Sequence, residues 1–278
     1  MREIFLAFIS FFFLSQFLYS QEVLLRFQPE KGKNFVYFLS SEGVLTQSAM
    51  GMEQVVNSKT ETKFSYFIQD VSPAGNIEMI ILVDTIKTGV KTQTPPLDTN
   101  FVIPMHLKLK QVLDKYGKGI SFEVLDMKAS ELPMGVGRRI DKRTYSHTVV
   151  FPERKVSKGE SWDFSYTDTT SNEGGQTIVK AQGQYTFDGV EKVNGIECAR
   201  LILNSSFSIS GQGMFQGMNY GLEGEGKNIG KIWVDLKSGL LVRSETASEI
   251  EMAMGISGQV EMTIPMSQKI TTTVSLVK

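Results

Sequence analysis

The residues able to do chemistry are few and far apart. His106 and His147 are the only histidines, and neither has a cysteine, aspartate or histidine partner at metal-ligand spacing. A dedicated zinc site draws on three or four such ligands. Cys198 is the single cysteine and lies beside Leu201 and Leu203 in an alternating run, where it reads as a small buried hydrophobe. A thiol nucleophile would need an oriented base and a stabilised thiolate, and no Gly-x-Ser-x-Gly pattern offers a serine instead. Seven glycines (Gly211, Gly213, Gly217, Gly221, Gly224, Gly226 and Gly230) crowd one stretch without leading into Gly-Lys-Ser or Gly-Lys-Thr. They read as a mobile loop, or as kinks in a bent sheet, rather than as a phosphate cradle. Paired carboxylates would suit glycoside hydrolysis, but Glu245, Glu249 and Glu251 fall on one outer face with no partner that spacing alone sets opposite. No cofactor and no metal is implied.

The elements that must carry these residues are strands. From Lys158 to Val277 apolar and polar residues alternate, most clearly between Lys231 and Met254. Ile232, Val234 and Leu236 share one face; Lys231, Trp233, Asp235 and Lys237 share the other. Lys237-Ser238-Gly239 supplies a turn. Val242, Ser244, Thr246, Ser248, Ile250, Met252 and Met254 then continue a drier side, with Arg243, Glu245, Glu249 and Glu251 opposite. Val260, Met262, Ile264 and Met266 repeat the plan, and Ile270 to Leu276 repeats it again. A face mixing hydroxyls with methionines is compatible with ordinary sheet irregularity. Read functionally, it lines a groove that adapts to apolar ligands. Val242, Ile250, Met252, Met262 and Ile264 are the candidate ligand-facing residues, and Met214, Phe215, Met218 and Tyr220 form a candidate rim loop.

The preceding part looks like a shorter version of the same plan. Val23–Phe27, Phe35–Leu39, Phe64–Ile68 and Ile77–Val83 read as strands, with turns at Pro29–Gly32, Ser40–Gly43 and Pro73–Asn76. Lys31-Gly32 before Phe35 parallels Lys158-Gly159 before Trp162, as two related units would require. Thr92–Pro104, with three prolines, reads as a linker. Met105, Leu109, Val112, Leu113 and Tyr116 fit a short amphipathic helix, although Leu107 and Leu109 also alternate as a strand would. Arg138, Arg139, Lys142 and Arg143 read as a solvated basic loop. The resulting division is 1–20 signal peptide, 21–92 β-meander, 93–143 linker with a short helix and hairpin, and 144–278 antiparallel β domain. The expected fold is mainly β: strongly curved antiparallel sheets, half-barrel or open-barrel-like, in two related units with a short intervening helix.

Arg2, the apolar run Phe5–Leu14 and Ser20 describe a secretory signal cleaved before Gln21; the alternative is a membrane anchor. The chain is then exported, periplasmic or secreted, and with Cys198 far from that site it is not a cysteine-anchored lipoprotein. No integral span is expected after cleavage. A net charge of −1 without a basic stripe argues against nucleic acid, whose phosphates need cations.

The Phe27-x-Pro29-x-Lys31-Gly32 motif, the run Phe151-Pro152-Glu153 to Lys158-Gly159-Glu160-Ser161-Trp162, and the Gly226–Gly239 pattern together resemble uncharacterised exported Bacteroidota-type proteins of the DUF6263 class. That resemblance spans most of residues 21–278 and carries over no catalytic residues. More remotely, the curled sheet is similar to the half-barrels of periplasmic lipoprotein carriers, which implies an acyl chain or apolar peptide on a concave face. The reading is a non-catalytic envelope or secreted β-protein whose partner is an apolar small molecule or an envelope protein. The alternatives are a hydrolase and a protein-interaction or structural β-module. An outer-membrane barrel would need an apolar lipid-facing band, which the charged face carrying Arg243 and Glu245 does not offer.

Overall fold

The computed structural model describes residues 22–277 apart from positions 50, 94, 130–144, 146–148, 173, 216, 259 and 260. The expected signal peptide, His147 and the basic run Arg138–Arg143 lie outside the described residues. Eleven strands follow in chain order: β1 Asn34–Ala49, β2 Met52–Val71, β3 Ile77–Gln93, β4 Pro96–Leu113, β5 Gly119–Ala129, β6 Ser161–Asn172, β7 Gly175–Val193, β8 Ile196–Phe215, β9 Met218–Asp235, β10 Leu241–Ser257 and β11 Met262–Val277. They form one antiparallel sheet in the order β5-β4-β3-β2-β1-β11-β10-β9-β8-β7-β6, open between β5 and β6. The mainly β, open-barrel-like expectation holds.

Two five-stranded meanders, β1–β5 and β6–β10, are built with the same local chemistry. Gly32 and Gly159 both take positive φ ahead of a first strand, at 78° and 89°. The Gly32 amide donates to Ile68 and the Ile68 amide to Lys33; Gly159, Phe187 and Glu160 repeat that exchange. A bulge follows each, at Ile68/Asp70 and at Phe187/Gly189. At the fourth turn Asp114 accepts from the Tyr116 and Lys118 amides, and Asp235 accepts from the Lys237 amide. Gly117 and Gly239, at φ 78° and 72°, close those turns by donating to the same aspartates' carbonyls. β11 then pairs with β10 on one side and β1 on the other, which merges the two meanders.

Several expected details are corrected. No helix spans Met105–Tyr116: that stretch is the end of β4 and its turn. The helical spacing competed with a longer alternation, in which Ile103, Met105, Leu107, Leu109, Gln111 and Leu113 are buried and Pro104, His106 and Lys108 are exposed. Pairing of Ile81 with Leu109 and Val83 with Leu107 gives this backbone a strand's hydrogen bonds. The expected linker Thr92–Pro104 is hairpin, with Gln93 opposite Pro96. Ser40–Gly43 is not a turn but the middle of β1.

The strands are long, and among the described residues the dry core lies at one end of the sheet. There Tyr37, Phe64 and Tyr66 pack ring on ring at centroid distances of 4.7–5.4 Å, and the Tyr66 hydroxyl donates to the Tyr145 carbonyl. Two extended segments fill this end. Val23, Leu25 and Phe27 come from one, and Val149, Phe151 and Val156 from the other. Val23 and Val156 exchange amide hydrogen bonds of 2.9 Å. Phe27 donates to Lys115 and Gln28 to Ser238, so the first segment bridges the two aspartate turns. Arg26 extends this bridge by donating to the Pro152 carbonyl and stacking over Tyr116 at 4.4 Å.

Gly239 marks the tightest point of that bridge. A Cβ on it would lie 2.0 Å from the Arg26 carbonyl oxygen, whereas a Cβ on Gly32 meets nothing within 4 Å. Both residues hold left-handed backbone, which costs a side chain about 1–2 kcal/mol. Gly32→Ala is therefore expected to cost about that much, and Gly239→Ala about 3 kcal/mol or more once the clash is added. Urea unfolding midpoints of the two variants decide the order.

Candidate functional site

Residues opposite each other in an antiparallel pair share a face, so the register fixes what lies beside the candidate residues. Met252 stands between Met266 and Gly224; Met254 between Ile264 and Leu222; Ile256 between Met262 and Tyr220. Ile250 stands between Gln268 and Gly226, with Phe207 beyond the glycine. Ile250, Met252, Met262 and Ile264 therefore meet on one face. It is the inner face, since Ser244, six residues before Ile250 on β10, lies between the core residues Ile232 and Val274. Ile250 is buried; Met252, Met254, Ile256, Met262, Ile264 and Met266 are half-buried, although the aromatic core lies at the other end of the strands.

Val242 is not with them. The register of β10 on β9 shifts between Leu241 and Arg243, which turns Val242 to the outward face. There it forms a small buried cluster with Cys198 and Trp233. Trp233, expected on the solvated side, is only 8% exposed. Its indole N–H donates to Glu191 at 3.2 Å, and the Arg243 guanidinium lies 5.6 Å from its ring centroid. That indole bond, with Arg200, holds the Glu191 carboxyl below its ordinary range. Alternation alone does not reveal a tryptophan buried on the outer side of a sheet.

Apart from Gly217, the crowded glycines are strand residues, in keeping with the sheet alternative rather than the mobile loop. Gly211 and Gly213 lie in β8, and Gly221, Gly224, Gly226 and Gly230 in β9. Neighbouring side chains lie over several of them: a Cβ on Gly226 would come within 2.4 Å of the Phe207 ring, and one on Gly224 within 3.0 Å of Met252. Gly230 is covered likewise by Thr246, at 2.8 Å. The large side chains thus lie flat, and the apolar face has low relief. The expected rim loop is a tight hairpin tip. Met214 and Phe215 end β8, Met218 and Tyr220 begin β9, and Gly217 turns between them at φ 79°. Met214 is 59% exposed.

Between this patch and the dry core the inner face is hydroxylated. One row runs Thr88, Thr60, Ser41, Thr272, Thr246 across β3, β2, β1, β11 and β10. Ser41 and Thr272 share a hydrogen bond of 3.0 Å, and Thr60 and Thr88 one of 3.2 Å. The next row outward includes Ser58, Ser248, Asn228 and Ser205. Charge lies on the other face. Lys269–Glu249 (3.3 Å), Lys59–Glu42 (3.4 Å) and Lys91–Asp98 (3.2 Å) are exposed pairs there. An open trough of about 710 Å³ spans Thr46, Ser48, Glu223, Glu225 and Glu251, with Met252 and Met266 also in its lining. Another of about 790 Å³ includes Ser165, Thr167, Lys180, Glu225, Lys227 and Glu249. These are mostly polar, outward positions. His106 is exposed on β4, and among the described residues no three His, Cys, Asp or Glu side chains are placed to hold a metal.

The model of a family of unknown function, DUF6263, matches residues 136–241. Over that stretch the chain is similar to this family. No curated protein matches it. Among solved structures it is similar to OccK5 (OpdH) of Pseudomonas aeruginosa, at 7% identity over 89% of this chain and 99% of that one, with a TM-score of 0.27. It is similar to OccK2 (OpdF) of the same organism, solved in complex with glucuronate, at 7% identity over 90% of this chain and 100% of that one, TM-score 0.25. A DUF1329 family protein from Desulfovibrio piger shows 11% identity over 86% of this chain and 85% of that one, TM-score 0.17.

Burial pushes the Cys198 thiol up to about 11, and its S–H donates to the Ile196 carbonyl at 3.4 Å. Because the thiolate is the reacting species, native Cys198 is expected to resist alkylation at pH 8 and to react fully once urea unfolds the chain. Equal labelling rates in the two states would show that the outward cluster opens freely.

Proposed function

We propose that this chain is an exported, non-catalytic protein that binds the long apolar chain of a lipid-like ligand on the inner face of β8–β11. One observation carries the reading. Met252, Met254, Ile256, Met262, Ile264 and Met266 form a half-buried apolar surface to which the core cluster of buried residues does not extend. An apolar sheet face ordinarily gains its stability by burial against another layer. Methionine side chains conform to irregular shapes, which suits a flexible chain better than a rigid ring system.

Magnitudes set the length of that chain. Each buried methylene contributes about 0.8 kcal/mol, so twelve give about 10 kcal/mol. Association itself costs about 4–15 kcal/mol, so short chains fail to bind and long ones succeed. Native mass spectrometry of the mature chain, expressed with its own signal in a Gram-negative host, tests this. A stoichiometric long-chain lipid released on denaturation is expected. Met254→Asp, which sets a charge in the half-exposed patch away from the core, is expected to abolish it without loss of fold. An empty wild-type protein that also takes up no added long-chain lipid would refute the reading.

A second reading, an interaction module, is favoured by outward apolar side chains near the packed end of β1–β3 and β11. Phe38, Phe67, Leu82 and Val277 are 37–44% exposed there. If these hold a partner protein, Phe67→Glu removes a co-purifying envelope protein while leaving lipid content unchanged.

A further inference from the structure

The inner face between the dry core and the apolar patch is polar but uncharged. By the alternation that places Leu39, Phe64, Val83, Leu203, Ile232 and Val274 in the core, the one Asp, Glu, Lys or Arg at a described inward position of β1–β3 and β8–β11 is Glu197 at the packed end of β8, and none lies between the core and the open end. The lysines of this region, Lys59, Lys227 and Lys269, occupy outward positions between inward ones. What this zone offers instead is a run of hydroxyls: Thr88, Thr60, Ser41, Thr272 and Thr246. Each pair bonded across the row uses one O–H, and hydroxyl oxygens retain lone pairs for a further donor. The Thr246 hydroxyl makes no hydrogen bond to the described residues, and the residue is half-buried.

We infer that the ligand is a neutral amphiphile, with an ester- or hydroxyl-bearing head seated on these hydroxyl rows and its chain running out over the methionines. The inference rests on the apolar-chain reading above and adds the head group to it. A carboxylate or phosphate placed here would give up hydration without a cation to replace it, a loss of several kcal/mol. A glyceryl ester brings donors and acceptors that threonine and serine match one for one. The distances agree as well. Six residues of β10 separate Ser248 from Met254, about 20 Å at a strand's rise, which is the reach of a long acyl chain laid along the strand.

The test compares three probes of equal chain length on the full mature protein: 1-monopalmitoylglycerol, palmitate and hexadecane. Monopalmitoylglycerol is expected to bind at least ten times more tightly than palmitate at pH 8. Replacing Thr60, Thr246 and Thr272 together by valine keeps strand-forming, β-branched side chains and is expected to weaken monopalmitoylglycerol about tenfold while leaving hexadecane unchanged. Circular dichroism and the urea midpoint of the triple variant confirm that it folds; if it does not, Thr246→Val alone is expected to give a smaller loss of the same kind. Palmitate binding as tightly as the ester overturns the inference and leaves the apolar-chain reading standing, as does a valine variant unchanged toward the ester. Failure of all three probes overturns both.

Discussion

The open end of this sheet depends on the pairing of β1 with β11. Ser41 and Thr272 are 231 residues apart in the chain, yet their hydroxyls bond at 3.0 Å. That pairing turns two five-stranded meanders into one surface. Without it β1 and β11 would each present a row of unpaired amides and carbonyls, a template for aggregation. It also brings Gln47 beside Met266 and Gly43 beside Ile270, so the inner face is continuous across the junction. The entropic cost of closing so long a loop grows only logarithmically with its length. The segment Val23–Gln28 shares this cost at the packed end, where it binds the β4–β5 turn and the β9–β10 turn.

An eleven-stranded sheet of long strands has to curl, since open twisted sheets seldom extend beyond about ten strands flat. Curling crowds the inner side chains. This chain relieves the crowding on β8 and β9 with glycines that let Phe207, Met252 and Thr246 lie across the neighbouring strand. The same device flattens the apolar patch. Curvature and surface chemistry therefore come from one set of residues, and a side chain at Gly226 would disturb both.

Much of this was legible from the chain. Alternation along β9–β11 placed Ile250, Met252, Met262 and Ile264 on one face, because a period of two survives wherever pairing is regular. It misplaced Val242 because a bulge adds one residue and reverses every side chain before it, and bulges leave no reliable trace in hydropathy. It left β4 open between helix and strand because Met105, Leu109 and Val112 satisfy both periods over a short window. Only the partner strand settles such a case. The glycine-rich stretch between Gly211 and Gly230 reads either as a mobile loop or as kinks in a bent sheet, because glycine weakens an isolated strand. Its place between β7 and β10 is a tertiary fact that local sequence does not carry. Trp233 was hidden for a related reason: its burial comes from Cys198 and Val242, one on a neighbouring strand and the other in the bulge.

The change in polarity along the inner face is abrupt. Leu39 and Val274 are buried in the core, and two residues farther along the same strands Ser41 and Thr272 are half-buried and hydroxylated. On β1 and β11 the core cluster ends at the first pair, and on β8 Leu203 carries it one row farther. If the remainder of the inner face served only to be wet, it would resemble the outward face, where Glu223, Glu225, Glu249, Glu251 and Lys227 repeat. Instead the inward positions of the same strands carry methionine, isoleucine, leucine and tyrosine. A sheet that is charged on one side and apolar on the other is the pattern of a sheet with something to cover. On the reading proposed above, that cover is a neutral lipid, apolar over the methionines and uncharged but hydrogen-bonding over the threonines.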